Sequence, residues 1–184
     1  MLIIGITGTL GAGKGTIVDF LLKQKGFVHF SVRGYLIQEI IKRGLEVDRN
    51  SMTEVANDLR ANNSPSFIVD ELYNQAVKTG KNCVIESIRT PGEVDSLRAK
   101  GNFYLFAVDA LAERRFDRIK LRASETDNID FETFLQNEQR EMTTADPNKQ
   151  NLKRCIEMAD FVFENSGSVD QLESHVSQVI KSLM

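Results

Sequence analysis

The segment Gly8-Thr9-Leu10-Gly11-Ala12-Gly13-Lys14-Gly15-Thr16 gathers the residue types that hold phosphate. Five of the 12 glycines fall between residues 5 and 15, so the cluster is a local device and not background composition. Glycines let the backbone curl until successive N–H groups point inward at phosphate oxygens. A helix that follows such a turn adds its unpaired amides and the positive end of its dipole. Lys14 supplies a mobile positive charge for the β and γ phosphates. The hydroxyl is displaced by one position. The common pattern sets Ser or Thr directly after the lysine, where it meets Mg²⁺. Here Gly15 takes that place and Thr16 follows, so Thr16 is expected at the α-phosphate. Mg²⁺ must then rest on phosphate oxygens, water and a second protein group. Glu86, at the carboxyl end of a predicted strand, is the candidate, acting through water.

The elements around these residues alternate. Leu2-Ile3-Ile4-Gly5-Ile6-Thr7 is short, apolar and rich in β-branched residues, which predicts a strand buried on both faces. The phosphate turn follows, then a helix from about Lys14 with Ile17, Val18, Leu21 and Leu22 on its apolar side. Further strands are predicted at 27–30, 82–86, 103–108 and 160–163, and helical patterns at 33–43, 51–61, 66–79, 110–122, 130–142 and 147–158. In the last helix Val169, Leu172, Val176, Val179, Ile180 and Leu183 fall on one stripe. Strands alternating with helices predict a parallel sheet covered on both faces. The polar interval from Ala123 to Asp130 suits a mobile loop or lid.

The form Gly-x-x-Gly-x-Gly-Lys-Gly-Thr resembles that of the nucleoside monophosphate kinases, adenylate kinase in particular. His29-Phe30-Ser31 is similar to the opening of that family's monophosphate-binding region. Glu86-Ser87-Ile88-Arg89-Thr90 resembles its Asp-Gly-Phe-Pro-Arg-Thr element, one residue shorter, and Arg118-Ile119-Lys120-Leu121-Arg122 the Arg-Leu-x-x-Arg that opens its lid. The tail from Ala159 to Ser168 is similar to those of dephospho-CoA kinase and cytidylate kinase. The whole chain resembles an archaeal-type family related to adenylate kinase. The resemblance implies a three-layer α/β P-loop NTPase fold with a five-stranded parallel sheet in the order 2-3-1-4-5. It implies ATP and Mg²⁺ as donor and cofactor, and small nucleotides as the partners. It gives Arg89 the role of gripping an acceptor phosphate, with Ser31 beside it, and gives Arg118 and Arg122 catalytic roles from the lid. One domain spans 1–184, with an acceptor-binding helical region at about 31–80 and a lid at about 118–142.

The chain also departs from that family. Gly34 and Ile37 stand where adenylate kinase has an Asp and an Arg, and Arg33 is the substitute cation. Ser124-Glu125-Thr126-Asp127-Asn128 lacks the lid arginine, which leaves Arg140 as the next cation. Arg115, Arg118 and Arg122 share a helical face. They could stabilise a transferring phosphoryl group, or form a solvated face paired with Glu113 and Asp117. Arg60 reads as an ordinary cation on an amphipathic helix, and neither His29 nor His175 reads as catalytic.

The acceptor side leaves three readings open. A hydroxyl acceptor must lose a proton, and kinases for such acceptors carry an aspartate at the end of the second strand. This chain has Ser31-Val32-Arg33 there, which favours a monophosphate gripped by Arg33 and Arg89. A dephospho-CoA-like or other hydroxyl acceptor is the second reading. A nucleotide-binding regulator or slow ATPase is the third.

Bulk properties exclude other classes. A net charge of -3 gives no global field for nucleic acid or an anionic membrane. No apolar stretch approaches the roughly 20 residues of a membrane span. Cys83 and Cys155 lack metal or redox spacing and read as reduced thiols of a cytoplasmic protein, expected to act as a monomer.

Overall fold

The computed structural model describes residues 1–123 and 128–184. Its elements run β1 (Ile3–Gly8), α1 (Lys14–Lys25), β2 (Val28–Ser31), α2 (Val32–Lys42), α3 (Arg49–Asn62), α4 (Phe67–Thr79) and β3 (Cys83–Glu86). They continue with α5 (Pro91–Ala99), β4 (Phe103–Asp109), α6 (Ala112–Arg122), α7 (Phe131–Met142), α8 (Leu152–Glu157), β5 (Phe161–Glu164) and α9 (Val169–Leu183). The five strands form one parallel sheet in the order β2-β3-β1-β4-β5, as expected.

Alternation along β1 sorts the two cores. Leu2, Ile4 and Ile6 point to one face, where they pack with Ile17, Leu21, Val176 and Ile180 of α1 and α9. Ile3 points to the other, where Ile85 and Leu105 join residues from α2, α3, α4, α5 and α8. Successive side chains of a strand leave on opposite faces, so a continuous apolar run must be covered twice. The carboxyl ends of β1, β2 and β3 therefore open at one edge of the sheet, between the phosphate turn and helices α2 and α3.

Two helices differ from the sequence expectation. Residues 91–99 form α5, which the sequence reading leaves unassigned. The local signal is a capping box: Thr90 accepts from Glu93 N, and Glu93 reaches back to Thr90 N, with Pro91 in the first turn. The helix predicted at 147–158 is confined to Leu152–Glu157, because the Asn151 side chain accepts from Arg154 N and starts it there.

Arg60 is not an ordinary surface cation. Its Nε and Nη2 donate to Glu93 Oε1 at 3.2 and 2.8 Å. Glu93 Oε2 accepts from the backbone N–H groups of Arg89 and Thr90 at 2.7 and 3.0 Å. Both side chains are out of water, at 1% and 0% exposure. The pair fastens α3 to the start of α5 and fixes the backbone of Arg89. Removing one member of such a buried pair leaves the other uncompensated. Glu93→Gln should lower unfolding free energy by about 3 kcal/mol, whereas Arg60→Leu with Glu93→Leu should cost less than the single change. Urea melts of the two variants check this, and a single variant as stable as wild type would contradict it.

Candidate active site

The phosphate turn connects β1 to α1. Gly8 and Gly13 have φ of 141° and 107°, a region that side chains rarely adopt. At Gly13 a Cβ would also collide with Asn165 Nδ2. Asn165 is buried and holds the turn from below: its Nδ2 donates to Ala12 O at 2.8 Å, and its own N–H donates to Asp109 O at 2.8 Å. Thr9 Oγ1 donates to Asp109 Oδ1 at 2.5 Å. By contrast, a Cβ at Gly15 would meet nothing within 4 Å.

Lys14 Nζ donates to the carbonyl oxygens of Gly8 and Thr9, both at 2.8 Å. Burial pushes its pKa down to about 7, and the Arg89 charge adds to the effect while Glu86 and Glu141 oppose it. Glu86 ends β3 and lies 3.2 Å from His29 Nε2. Burial works against its ionisation. The His29 hydrogen bond and the charge of Lys14 outweigh that, and the carboxyl is held below the usual carboxylate range. The next residue, Ser87, has φ of 72°. That left-handed backbone turns the chain from β3 towards Arg89 at a strain cost of about 1 kcal/mol.

These residues share one cavity of about 610 Å³. Its donor end is lined by Leu10, Gly11, Gly13, Lys14, Gly15 and Thr16, and Glu86 lies beside them. The same cavity is lined by Arg33, Arg49 and Arg89 and by an apolar wall of Val32, Leu36, Met52 and Ala56, with Arg89 near enough to Lys14 and Glu86 to act on their charges. On α3, Arg49, Met52, Thr53, Ala56 and Arg60 form one stripe, with arginines roughly 16 Å apart along the axis. Glu141 of α7 bridges two of the cations: its Oε1 accepts from Arg49 Nη2 at 2.6 Å, and its Oε2 accepts from Arg89 Nη1. Gln150 Oε1 accepts from Arg89 Nη1 at 3.0 Å. Arg33 Nη1 approaches Met52 Sδ at 3.4 Å.

Arg118 and Arg122 reach the cavity from α6. Arg118 donates to Asn165 O at 2.7 Å and to Ala12 O at 3.5 Å, which sets it against the turn. Arg115 is buried and does not form a solvated face with Glu113 and Asp117. It pairs with Glu138 of α7 and donates from Nε to Ala110 O at 2.7 Å. Ser31 is used locally, its Oγ accepting from Gly34 N at 3.0 Å as the cap of α2, and it is not among the residues lining the cavity. Arg140 is exposed and likewise not among the lining residues. Ser124–Asp127 of the expected lid lie outside the described residues. Both cysteines are buried, with thiols pushed up to about 11 at Cys83 and about 12 at Cys155, which suits packing and not nucleophilic work.

The sequence reading misses Arg49, Glu141, Gln150 and Asn165. The 49-52-53-56-60 stripe on α3 carries a readable periodicity for Arg49. Glu141 and Asn165 have no local signal, because their partners lie far away in the chain. Among the described residues no group of three or more His, Cys, Asp or Glu could hold a metal. The donor set fits Mg²⁺ only as an ion carried mainly by phosphate oxygens and water, with the ionised Glu86 at hand. Among the described residues no helix is long and apolar enough to cross a membrane.

A glycine turn between the first strand and first helix of a β2-β3-β1-β4-β5 sheet, facing a cationic cavity, defines a P-loop fold of the kinase kind. A family model described as an AAA domain matches residues 4–146, and the chain belongs to that family. A UPF0200 protein of Thermococcus kodakarensis is 27% identical over 189 residues, covering 100% of this chain and 98% of the relative. The crystal structure of TT1252 from Thermus thermophilus is similar at a TM-score of 0.61 and 22% identity, covering 100% of this chain and 98% of that one. Shikimate kinase from Bacteroides thetaiotaomicron is similar at 0.61 and 14%, with 99% and 98% covered. The kinase-like P-loop fold expected from the sequence is thus borne out.

The lowered pKa of Lys14 has a sign that can be measured. Folded, the group titrates near 7; unfolded, near 10.5. Its cost to folding is present in full below about 7 and is relieved as pH rises towards 10.5, because only the unfolded chain binds the proton in that window. A triphosphate at the turn favours the charged form, so at about pH 8 ATP binding should take up close to one proton. Titration calorimetry in buffers of different ionisation enthalpy reads this, and buffer-independent heats would show Lys14 already charged. The turn makes a second demand. Gly13→Ala should lower ATP affinity by at least about 100-fold, whereas Gly15→Ala should change it by less than about threefold. Equal effects at the two positions would contradict the geometry.

Proposed function

We propose that this protein transfers the γ-phosphoryl group of MgATP to a nucleoside or deoxynucleoside monophosphate. The observation that carries this is the cavity itself: one space lined by a phosphate turn, by Arg33, Arg49 and Arg89, and by an apolar wall. Phosphoryl transfer needs in-line positioning and charge neutralisation more than covalent help. Lys14 and the amides of Gly11 to Thr16 neutralise the donor phosphates. Arg118 and Arg122 bring positive charge towards the transferring group from α6. Arg33 and Arg89 hold the acceptor phosphate, with Arg49 beside them, and Val32, Leu36, Met52 and Ala56 pack against its base. Glu86 would hold bound Mg²⁺ through water, and the ion would supply charge neutralisation to the donor phosphates. The adenylate-kinase resemblance agrees with this reading through Arg89 and the displaced hydroxyl at Thr16.

One feature favours a hydroxyl acceptor as a second reading. Ser31 pairs with Glu86 across β2 and β3. Glu86 therefore sits one strand from the place where hydroxyl-phosphorylating kinases carry their aspartate, and could serve as base. Shikimate kinase is among the proteins of similar fold. Against this, Glu86 is engaged by His29 and lies beside Lys14, which suits a fixed charge better than a base.

The test is ADP production from MgATP across nucleoside monophosphates, deoxynucleoside monophosphates, dephospho-CoA and shikimate. Transfer to one of the monophosphates is expected. Transfer only to a hydroxyl substrate would replace the first reading by the second, and acceptor-independent hydrolysis alone would make the protein a slow ATPase or switch. Arg89→Ala should raise the acceptor's KM about 100-fold while ATP affinity stays within about threefold. Equal loss of both would remove Arg89 from the acceptor side.

A further inference from the structure

Of α7, only Glu141 is among the residues lining the cavity, and it goes to the point where two cations meet. Each carboxylate oxygen serves a different arginine, Oε1 on Arg49 and Oε2 on Arg89. Arg49 comes from α3 and Arg89 from the segment after β3, so no shared backbone brings the two guanidinium groups together. A bridging anion does. Two oxygens of a phosphate monoester present the same chemistry to the same pair, with more charge. A buried carboxylate and a phosphate cannot share that point, because like charges a few ångströms apart in a poorly hydrated site repel strongly.

We infer that Glu141 is an internal competitor for the acceptor's phosphate: it holds Arg49 and Arg89 together until a phosphorylated acceptor displaces it. It is a positioning residue. The consequence is selectivity for charge. A neutral acceptor gains too little from the arginines to displace the carboxylate, whereas a dianion gains from both. The displacement also reaches the donor half. One turn earlier on the same helix, Glu138 holds Arg115, whose Nη1 donates to Leu10 O in the phosphate turn at 3.4 Å. Helix α7 thus borders the cavity through Glu141 and is linked to the phosphate turn through Arg115, and release of Glu141 loosens its final turn.

This inference rests on the phosphate-acceptor reading above, and its test separates the two. The probe is inorganic phosphate, titrated calorimetrically into the full chain saturated with Mg²⁺ and the non-hydrolysable analogue AMP-PNP, so that the donor turn is filled. Glu141→Gln should bind phosphate at least about tenfold more tightly than wild type, and adding Arg89→Ala should abolish the gain. Unchanged or weaker binding by a folded Glu141→Gln protein overturns the inference. That variant leaves two guanidinium groups without their counter-ion and can cost the fold. A second measurement therefore uses wild type: phosphate should speed amide hydrogen exchange in residues 138–142. Slower or unchanged exchange there also overturns it. Tightening without transfer to any monophosphate would leave Glu141 a competitor for phosphate at this arginine pair and remove the monophosphate-kinase reading. Transfer without tightening would do the reverse.

Discussion

Positive charge held out of water is the constraint on which the rest of this structure turns. Lys14, Arg33, Arg49, Arg60, Arg89 and Arg118, each buried or half-buried, line one cavity together with the more exposed Arg122, and among the described residues its acids are Glu86 and Glu141, in a chain whose net charge is -3. Such a cluster is unfavourable unless each cation is neutralised or gives up its proton. The molecule does both. Arg60 is held by Glu93, Arg49 and Arg89 by Glu141, and Arg118 by the carbonyl oxygens of Ala12 and Asn165. Lys14 answers with a pKa that desolvation lowers to about 7. The cavity is thus built to be relieved by anions.

The sheet makes that concentration possible. Five parallel strands end on one edge, so residues distant in sequence meet there without long loops. Glu86 and Ser31 are neighbours across β3 and β2, and Ile6 is the neighbour of Glu86 across β1. The turn after β1 leans on the end of β4 through Thr9 and Asp109, and on the residue after β5 through Asn165. The strand ends fix the turn, and the turn fixes where a triphosphate can lie. Helices α2 and α3 then set the distance to the far wall.

Much of this was legible in the chain because it is local. The phosphate turn is contiguous, and all five strands are short β-branched or aromatic runs whose apolar faces announce a sheet covered twice. The order of the sheet followed from the resemblance carried by that turn. What escaped was non-local or masked by a stronger pattern. The Arg49–Glu141 pair spans 92 residues and Arg89–Glu141 spans 52, and no periodicity links such positions. Helix α5 carries a full capping box at Thr90 and Glu93, yet it is short and directly follows the Glu86–Thr90 segment that resembles a phosphate-binding element. Arg60 shows the limit of amphipathic patterns. An arginine at the end of a helix stripe looks solvated until the buried Glu93 on another helix is placed against it.

Glu86 and Glu141 divide the chemistry of the cavity. Glu86 sits within the influence of Lys14 and His29 at the donor end, on a strand that cannot move without the sheet. Glu141 sits at the proposed acceptor end on a helix that is also attached through side chains: Glu138 to Arg115, and Phe131 and Phe134 against Phe116 of α6. A carboxylate on a strand is fixed charge, suited to orienting a bound ion through water. A carboxylate on a peripheral helix is exchangeable charge, suited to yielding. On the proposed reading the donor half is therefore rigid and finished, while the acceptor half is completed by its ligand. That asymmetry explains why the glycine turn alone identifies the donor, whereas the acceptor must be argued from arginines whose counter-ion the fold supplies itself.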